Sequence, residues 1–135
     1  MKIEVAKTAG FCFGVQRAVD IVFEQARQGK RVYTLGPIIH NPFIVEKLAS
    51  MGVTAINVPE ENPDGRLVVI RSHGVSPQVR QRLAGMEVVD ATCPFVAKIH
   101  RIVAAVDPEE PARILIAGDA SHPEVQGIVG HCRAP

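Results

Sequence analysis

Short apolar runs and helical patterns alternate along the whole chain. Each run has the length of a strand, and most are followed by apolar positions at helical spacing. The predicted strands are residues 3–6 (IEVA), 31–35 (RVYTL), 53–58 (VTAINV), 66–71 (RLVVIR), 86–91 (MEVVDA) and 113–118 (RILIAG). Strands that alternate with helices are typical of βαβ units, so the pattern predicts an α/β fold with a mostly parallel sheet.

Proline marks the start of four predicted helices. At the first helical position a proline is tolerated well, because its missing N–H would have no partner there in any case. The four starts are Asn41-Pro42, Ser76-Pro77, Cys93-Pro94 and His122-Pro123. A further helix is predicted to follow Cys12, where apolar residues recur at helical spacing.

Two cysteines stand where a predicted strand gives way to a helix. Cys12 lies in GFCFGVQRA (residues 10–18) and Cys93 in DATCPFVAKIH (residues 90–100). The free N–H groups and the dipole of a helix N-terminus favour a thiolate, which would be a metal ligand, a cluster ligand or a nucleophile. The alternative is that each cysteine is a small core residue, because free cysteine is often buried.

Three histidines occur just before or at the predicted helix starts: His40, His73 and His122. In an open parallel sheet ligands bind beyond the carboxyl ends of the strands, so these rings, the two thiols and Glu124 should share one edge. A single histidine in such a place is more often a capping or packing residue. Three at equivalent junctions favour binding, because turns there usually use Asn, Asp, Ser or Gly.

The chemistry of this predicted edge leaves two kinds of site open. Histidine N–H groups at helix starts suit phosphate oxygens, and thiolates suit zinc, copper(I) or iron–sulfur. Phosphate beside an iron–sulfur cluster is one interpretation. A zinc site with mixed cysteine and histidine ligands is the other, because zinc accepts both.

Composition and charge exclude several classes of protein. A chain of 135 residues with 47% hydrophobic and 21% charged residues is ordinary for one globular domain. A net charge of +1 and the absence of Trp argue against a nucleic-acid surface. The N-terminus carries charges within its first apolar run, which predicts neither a signal peptide nor a membrane span and therefore a cytoplasmic chain. Three distant cysteines form no disulfide framework, which leaves metal or redox chemistry.

Five segments together carry a resemblance to a known family. GFCFGVQRAV, IIHNPFIVEKL, SHGVS, DATCPFVAKIH and SHPEVQGIVG, in this order between about residues 10 and 130, resemble the first part of the LytB/IspH family of 4-hydroxy-3-methylbut-2-enyl diphosphate reductases. The resemblance implies an oxygen-sensitive [4Fe–4S] oxidoreductase that completes the methylerythritol phosphate pathway of isoprenoid biosynthesis. The family removes the allylic hydroxyl of its diphosphate substrate to give isopentenyl and dimethylallyl diphosphate, with electrons from ferredoxin or flavodoxin.

The resemblance also implies roles for single residues. Cys12 and Cys93 match the first two of the family's three cluster cysteines, and Glu124 matches the acid that delivers a proton. The family's histidines around the diphosphate are matched by His40, His73 and His122. The family fold is a three-lobed α/β trefoil that closes over a central cluster.

One departure from the family pattern predicts that the chain is a fragment. The third cluster cysteine and the remaining diphosphate-binding residues of the family lie in later segments that this sequence does not contain. Cys132 is discounted as a substitute ligand because it follows a helix end and lacks the dipole that favours a thiolate. The expected organisation is an N-terminal strand and first cluster-ligand turn (1–13), a first α/β lobe (14–92) and the truncated start of a second lobe (93–135).

Such a fragment is expected to be inactive by itself. The competing hypothesis is a non-catalytic α/β module that uses the same edge to bind a metal, in a zinc-like cysteine and histidine site, or a phosphorylated small molecule.

Overall fold

Five α-helices and four β-strands are present in the computed structural model, which describes residues 1–63, 66–107, 109 and 113–133. The helices are α1 (Phe13–Arg27), α2 (Pro42–Ala49), α3 (Pro77–Arg82), α4 (Pro94–Ala105) and α5 (Pro123–His131). The strands are β1 (Val32–Leu35), β2 (Thr54–Ile56), β3 (Leu67–Ile70) and β4 (Val88–Asp90). None of the described helices combines the length and the apolar character that a membrane crossing needs.

The four strands form one parallel sheet in the order β2-β1-β3-β4. All four residues of the central strand β3 are buried, as expected for a parallel strand covered on both faces. Val69 packs with α1 and α2 on one face, and Val68 and Ile70 pack with Leu83, just beyond α3, on the other. The prediction of an α/β fold with a parallel sheet is confirmed.

Each of the four proline-marked helices begins as predicted, with proline in its first turn. At α2 and α3 the preceding Asn41 and Ser76 accept a backbone N–H with their side chains. At α5 the imidazole of His122 does so instead. Side-chain capping therefore satisfies one free backbone N–H at the start of each of these three helices.

Two predicted strands are wrong. Residues 3–6 and 113–118 have no regular secondary structure, and their apolar side chains face solvent, with Ile3 75% and Leu115 95% exposed. A strand needs a hydrogen-bonded neighbour and a cover for its apolar face. Neither segment pairs with any of the four strands that the structure describes. An apolar run is therefore not sufficient to form a strand at these two places.

Candidate functional site

The three predicted histidines lie together beyond the carboxyl ends of the strands. The ring centroids of His40 and His73 are 5.2 Å apart, those of His73 and His122 are 5.3 Å apart, and those of His40 and His122 are 5.8 Å apart. One ring nitrogen from each lies within 4.8 Å of the others. We call these residues the histidine triad. A single ligand of a few atoms could therefore contact all three rings.

Backbone contacts determine which nitrogens of the triad are free. Nδ1 of His122 accepts the N–H of Glu124 at 3.2 Å, so in the neutral ring the proton must be on Nε2. Nδ1 of His73 is buried and has no hydrogen-bond partner among the described residues. Burial lowers the pKa of His73 to about 4, with further electrostatic contributions from Arg71 and from the neighbouring rings of His40 and His122. His73 is therefore neutral at pH 7 and offers one donor and one acceptor.

The low pKa of His73 predicts a pH-dependent stability. An unfolded histidine titrates near 6.5, so between pH 6.5 and about 4 the unfolded chain binds more protons than the folded one. The contribution of His73 to the free energy of unfolding should be constant above pH 6.5 and fall towards pH 4. At about 1.36 kcal/mol per pKa unit this loss is at most about 3–4 kcal/mol, and the solvent contact of the ring reduces it.

Urea unfolding of the wild-type chain and of His73→Gln at pH 7, 6 and 5 checks this expectation. The free energy of unfolding of the wild type minus that of His73→Gln should decrease as the pH falls, because only the wild type loses the contribution of the neutral ring. A difference that does not change with pH would show that the ring titrates normally.

Cys12 and Cys93 are the N-cap residues of α1 and α4, as predicted. Neither thiol makes a side-chain capping bond, so both sulfurs are free of that role. The two helix starts also touch, because Arg17 of α1 donates to the carbonyl oxygens of Thr92 (3.2 Å) and Asp90 (3.4 Å), which lead into α4. The two helix N-termini therefore face a common region.

Gly14 makes the close approach of these helices possible. A Cβ atom added to Gly14 would lie 2.9 Å from Cβ of Cys93 and would also collide with its sulfur. Only a residue without a side chain leaves room for the Cys93 thiol against the first turn of α1. Cys12 is exposed and Cys93 is partly buried.

Cys132 has a different environment. It is the C-cap residue of α5, and its thiol donates to the carbonyl oxygen of Ile128 at 3.5 Å. The negative end of a helix dipole does not favour a thiolate. The histidine triad is the only group of three or more His, Cys, Asp or Glu side chains in the described part of the chain that could hold one metal ion, so the three cysteines do not assemble there.

Glu124 lies in the first turn of α5, two residues after His122, and is partly buried. Its backbone N–H is held by the His122 ring. The carboxylate of Glu124 makes no hydrogen bond or ion pair with any of the described residues. The structure therefore places an unpaired carboxyl group on the turn that carries one member of the triad.

Sequence reasoning missed Arg71, which follows β3 directly. Arg71 lies two residues before His73 in the chain. Its guanidinium packs against Gly36, which directly follows β1. A charged residue immediately after a fully apolar strand was the available signal. Sequence alone does not say whether such a side chain turns to solvent or into the fold.

Comparison with known proteins gives consistent matches. A family model described as LytB protein matches residues 3–135. The 4-hydroxy-3-methylbut-2-enyl diphosphate reductase of Citrifermentans bemidjiense is 48% identical over 133 residues, which are 97% of this chain and 47% of that protein. The Geobacter sulfurreducens protein of the same name is 46% identical over 140 residues, 100% of this chain and 48% of that protein.

Two solved structures share this fold. The E-1-hydroxy-2-methyl-but-2-enyl-4-diphosphate reductase of Plasmodium falciparum superposes with a TM-score of 0.85 at 33% identity, covering 93% of this chain and 40% of that one. A second reductase, described as the terminal enzyme of the non-mevalonate pathway, gives a TM-score of 0.79 at 44% identity, covering 98% and 47%. The chain spans about half the length of the curated relatives that it matches.

Proposed function

The chain belongs to the LytB family, and on that premise we propose that it forms the first half of a 4-hydroxy-3-methylbut-2-enyl diphosphate reductase. In the proposed reaction the C–O bond of the allylic hydroxyl breaks, two electrons and two protons are consumed, and water leaves. The products are isopentenyl and dimethylallyl diphosphate. The observation that carries the proposal is the histidine triad, with rings 5.2 to 5.8 Å apart, at the same sheet edge as the two helix-capping cysteines.

The triad is proposed to bind the diphosphate of the substrate. Two observations support this role: the Nε2 proton of His122 points away from its capping bond, and His73 is neutral with an unsatisfied buried nitrogen. Imidazole N–H groups can donate to phosphate oxygens. The triad itself contains no carboxylate that would compete for these N–H groups. A histidine-only zinc site is the second candidate, favoured by the 4.8 Å spacing of the ring nitrogens.

Cys12 and Cys93 are proposed as two of the ligands of a [4Fe–4S] cluster. Their free sulfurs on two touching helix N-termini fit that role, and the third cysteine would come from the part of a full-length reductase that this chain does not span. When bound, such a cluster supplies the electrons that the reaction consumes. The thiols themselves anchor it, and their helix dipoles stabilise the negative charge of the thiolates.

Glu124 is proposed as the proton donor of the reaction. A carboxyl group without an ion-pair partner is free to take up and release a proton, and Glu124 stands on the turn that begins with His122. The two residues would then act on opposite ends of one substrate, with His122 on the diphosphate and Glu124 near the hydroxyl that leaves.

The lobe organisation is part of the proposal. Residues 14–92 would be the first lobe and residues from 93 onwards the start of the second, with residues 1–13 lying against a further lobe. Phenylalanines are exposed in the first turns of three helices: Phe13, Phe43 and Phe95. They support the proposal that a further lobe covers the helix N-termini at the sheet edge that carries the triad. Ferredoxin or flavodoxin would deliver the electrons, and a reducing cytoplasm would keep the cysteines free.

Loss of one triad histidine is expected to weaken substrate binding in a full-length reductase. A charge-assisted hydrogen bond contributes about 1.5–3 kcal/mol, so His40→Ala should lower the substrate affinity by about ten- to a hundredfold. His122→Asn should do the same, and it keeps a capping side chain.

Isothermal titration with the substrate and iron quantitation check this expectation, with His131→Asn, outside the triad, as the control. Iron content should stay unchanged in all three variants. Loss of bound metal in His40→Ala would favour the histidine-only zinc site instead.

The 135-residue chain alone is expected to show no reductase turnover. Two cysteine ligands are too few to protect a cluster from loss and oxidation. Anaerobic reconstitution with iron and sulfide, followed by a substrate assay beside a full-length relative, tests this. Turnover comparable to that of the relative would contradict the proposed division of the site.

A further inference from the structure

Arg71 is a partly buried cation that has no hydrogen-bond or ion-pair partner in the part of the chain that the structure describes. Its guanidinium packs against Gly36, where an added Cβ would collide with it. Its Nε atom is fully buried and unsatisfied, and within the described ranges Arg71 makes no hydrogen bond or ion pair. Burial also lowers its pKa. A desolvated charge without a counter-charge costs stability, so a site that keeps one is suited to an anion.

Arg71 is one of the residues that line a cavity of about 240 Å³ between the sheet edge, α3 and α5. Three neutral polar side chains line this cavity together with Arg71, namely Asn57, Ser76 and Gln126. Among the described residues, those that line the cavity include no carboxylate and none of the triad histidines. Each polar side chain in this lining can donate a hydrogen bond, and no described lining residue neutralises Arg71.

We propose that this cavity is a binding site for a small phosphate-like oxyanion, separate from the histidine triad, with Arg71 as its charged donor. Arginine presents a planar fork of N–H groups that matches phosphate oxygens in pairs. A cation is excluded by the lone positive charge. The volume lies below the roughly 300–1,000 Å³ of pockets for drug-sized ligands, so the site suits a single phosphate group.

Gly36 supports this assignment. It adopts a φ of +75°, and its N–H is held by the carbonyl oxygen of Ile56 at 2.7 Å. A side chain at this position would collide with the guanidinium and force it to move. The site uses none of the residues assigned to substrate, cluster or proton transfer, although the charge of Arg71 also acts on His73 of the triad.

Titration of the 135-residue chain with inorganic phosphate tests the site, with sodium chloride at matched ionic strength as the reference. We expect phosphate to raise the midpoint of thermal unfolding and chloride to leave it unchanged. Arg71→Gln should weaken phosphate binding at least tenfold. Without phosphate this variant should unfold at a higher temperature than the wild type, because the unpaired charge is gone, and saturating phosphate should reverse that order.

Two further variants keep the test decisive. Gln126→Leu changes an exposed residue of α5, so the fold should persist while phosphate binding weakens severalfold. Arg101→Gln removes the same charge from an exposed site on α4 and should bind phosphate like the wild type.

Three outcomes would overturn the proposal. The first is a wild-type chain that does not respond to phosphate, and the second is an Arg71→Gln variant that responds like the wild type. The third is a response that His40→Ala abolishes and Arg71→Gln does not. That last result would assign the bound phosphate to the triad, and it would leave the proposed reductase function intact.

Discussion

Cys12→Ser or Cys93→Ser is expected to leave a full-length reductase that contains this chain with little of its iron. A serine oxygen is a harder ligand than a thiolate and suits iron–sulfur chemistry poorly. Both cysteines are N-cap residues, and the two helix starts are in contact where Gly14 meets Cys93 and where Arg17 donates to the carbonyl oxygen of Thr92, so each substitution removes one sulfur from the same region. Turnover should fall by more than the roughly 10- to 100-fold that loss of a supporting outer partner costs.

Cys132→Ser is the matched control for this experiment. The same atom is exchanged, but Cys132 lies at the opposite end of its helix and donates to the carbonyl oxygen of Ile128. Iron content and visible absorbance of the anaerobically purified protein should be close to those of the wild type. Loss of the cluster in Cys132→Ser together with its retention in Cys12→Ser would refute the assignment of both ligands.

The sheet could be predicted from sequence because its strands carry continuous apolar runs. β3 is buried along its full length and β1 nearly so, and each appears in the sequence as an apolar run. The runs at 3–6 and 113–118 look the same in sequence and are not strands. Strand formation depends on a neighbour as well as on composition, and the neighbour is not encoded in the run itself.

The convergence of His40 and His73 was predictable for a different reason. They follow the parallel strands β1 and β3, which end at one edge, so no knowledge of side-chain packing was needed. His122 follows a run that is not a strand, and its position depends on the packing of α5 against α4. Contacts between distant elements were not predictable in this way. The fit of Cys93 against Gly14, and the position of Arg71 against Gly36, both depend on how helices and turns pack in three dimensions.

Glu124→Gln is expected to lower turnover of a full-length reductase by about 10²- to 10⁴-fold while the cluster stays intact, because an amide of nearly the same shape cannot deliver a carboxyl proton. A simple helix-dipole role for Glu124 would predict a small loss of stability, about 0.3–1 kcal/mol, and near-normal turnover. Steady-state kinetics and thermal unfolding measured on the same preparation separate the two roles.

Two variants sharpen the comparison with Glu124→Gln. Glu124→Asp keeps a carboxyl group in the first turn of α5 and should recover part of the turnover, because the acid is present but displaced by one methylene. Glu46→Gln makes the same chemical change at an exposed position of α2 and should leave turnover unaffected. If Glu124→Asp were as inactive as Glu124→Gln, a proton alone would not explain the requirement for Glu124, and the carboxylate would have to act through its exact reach to the substrate.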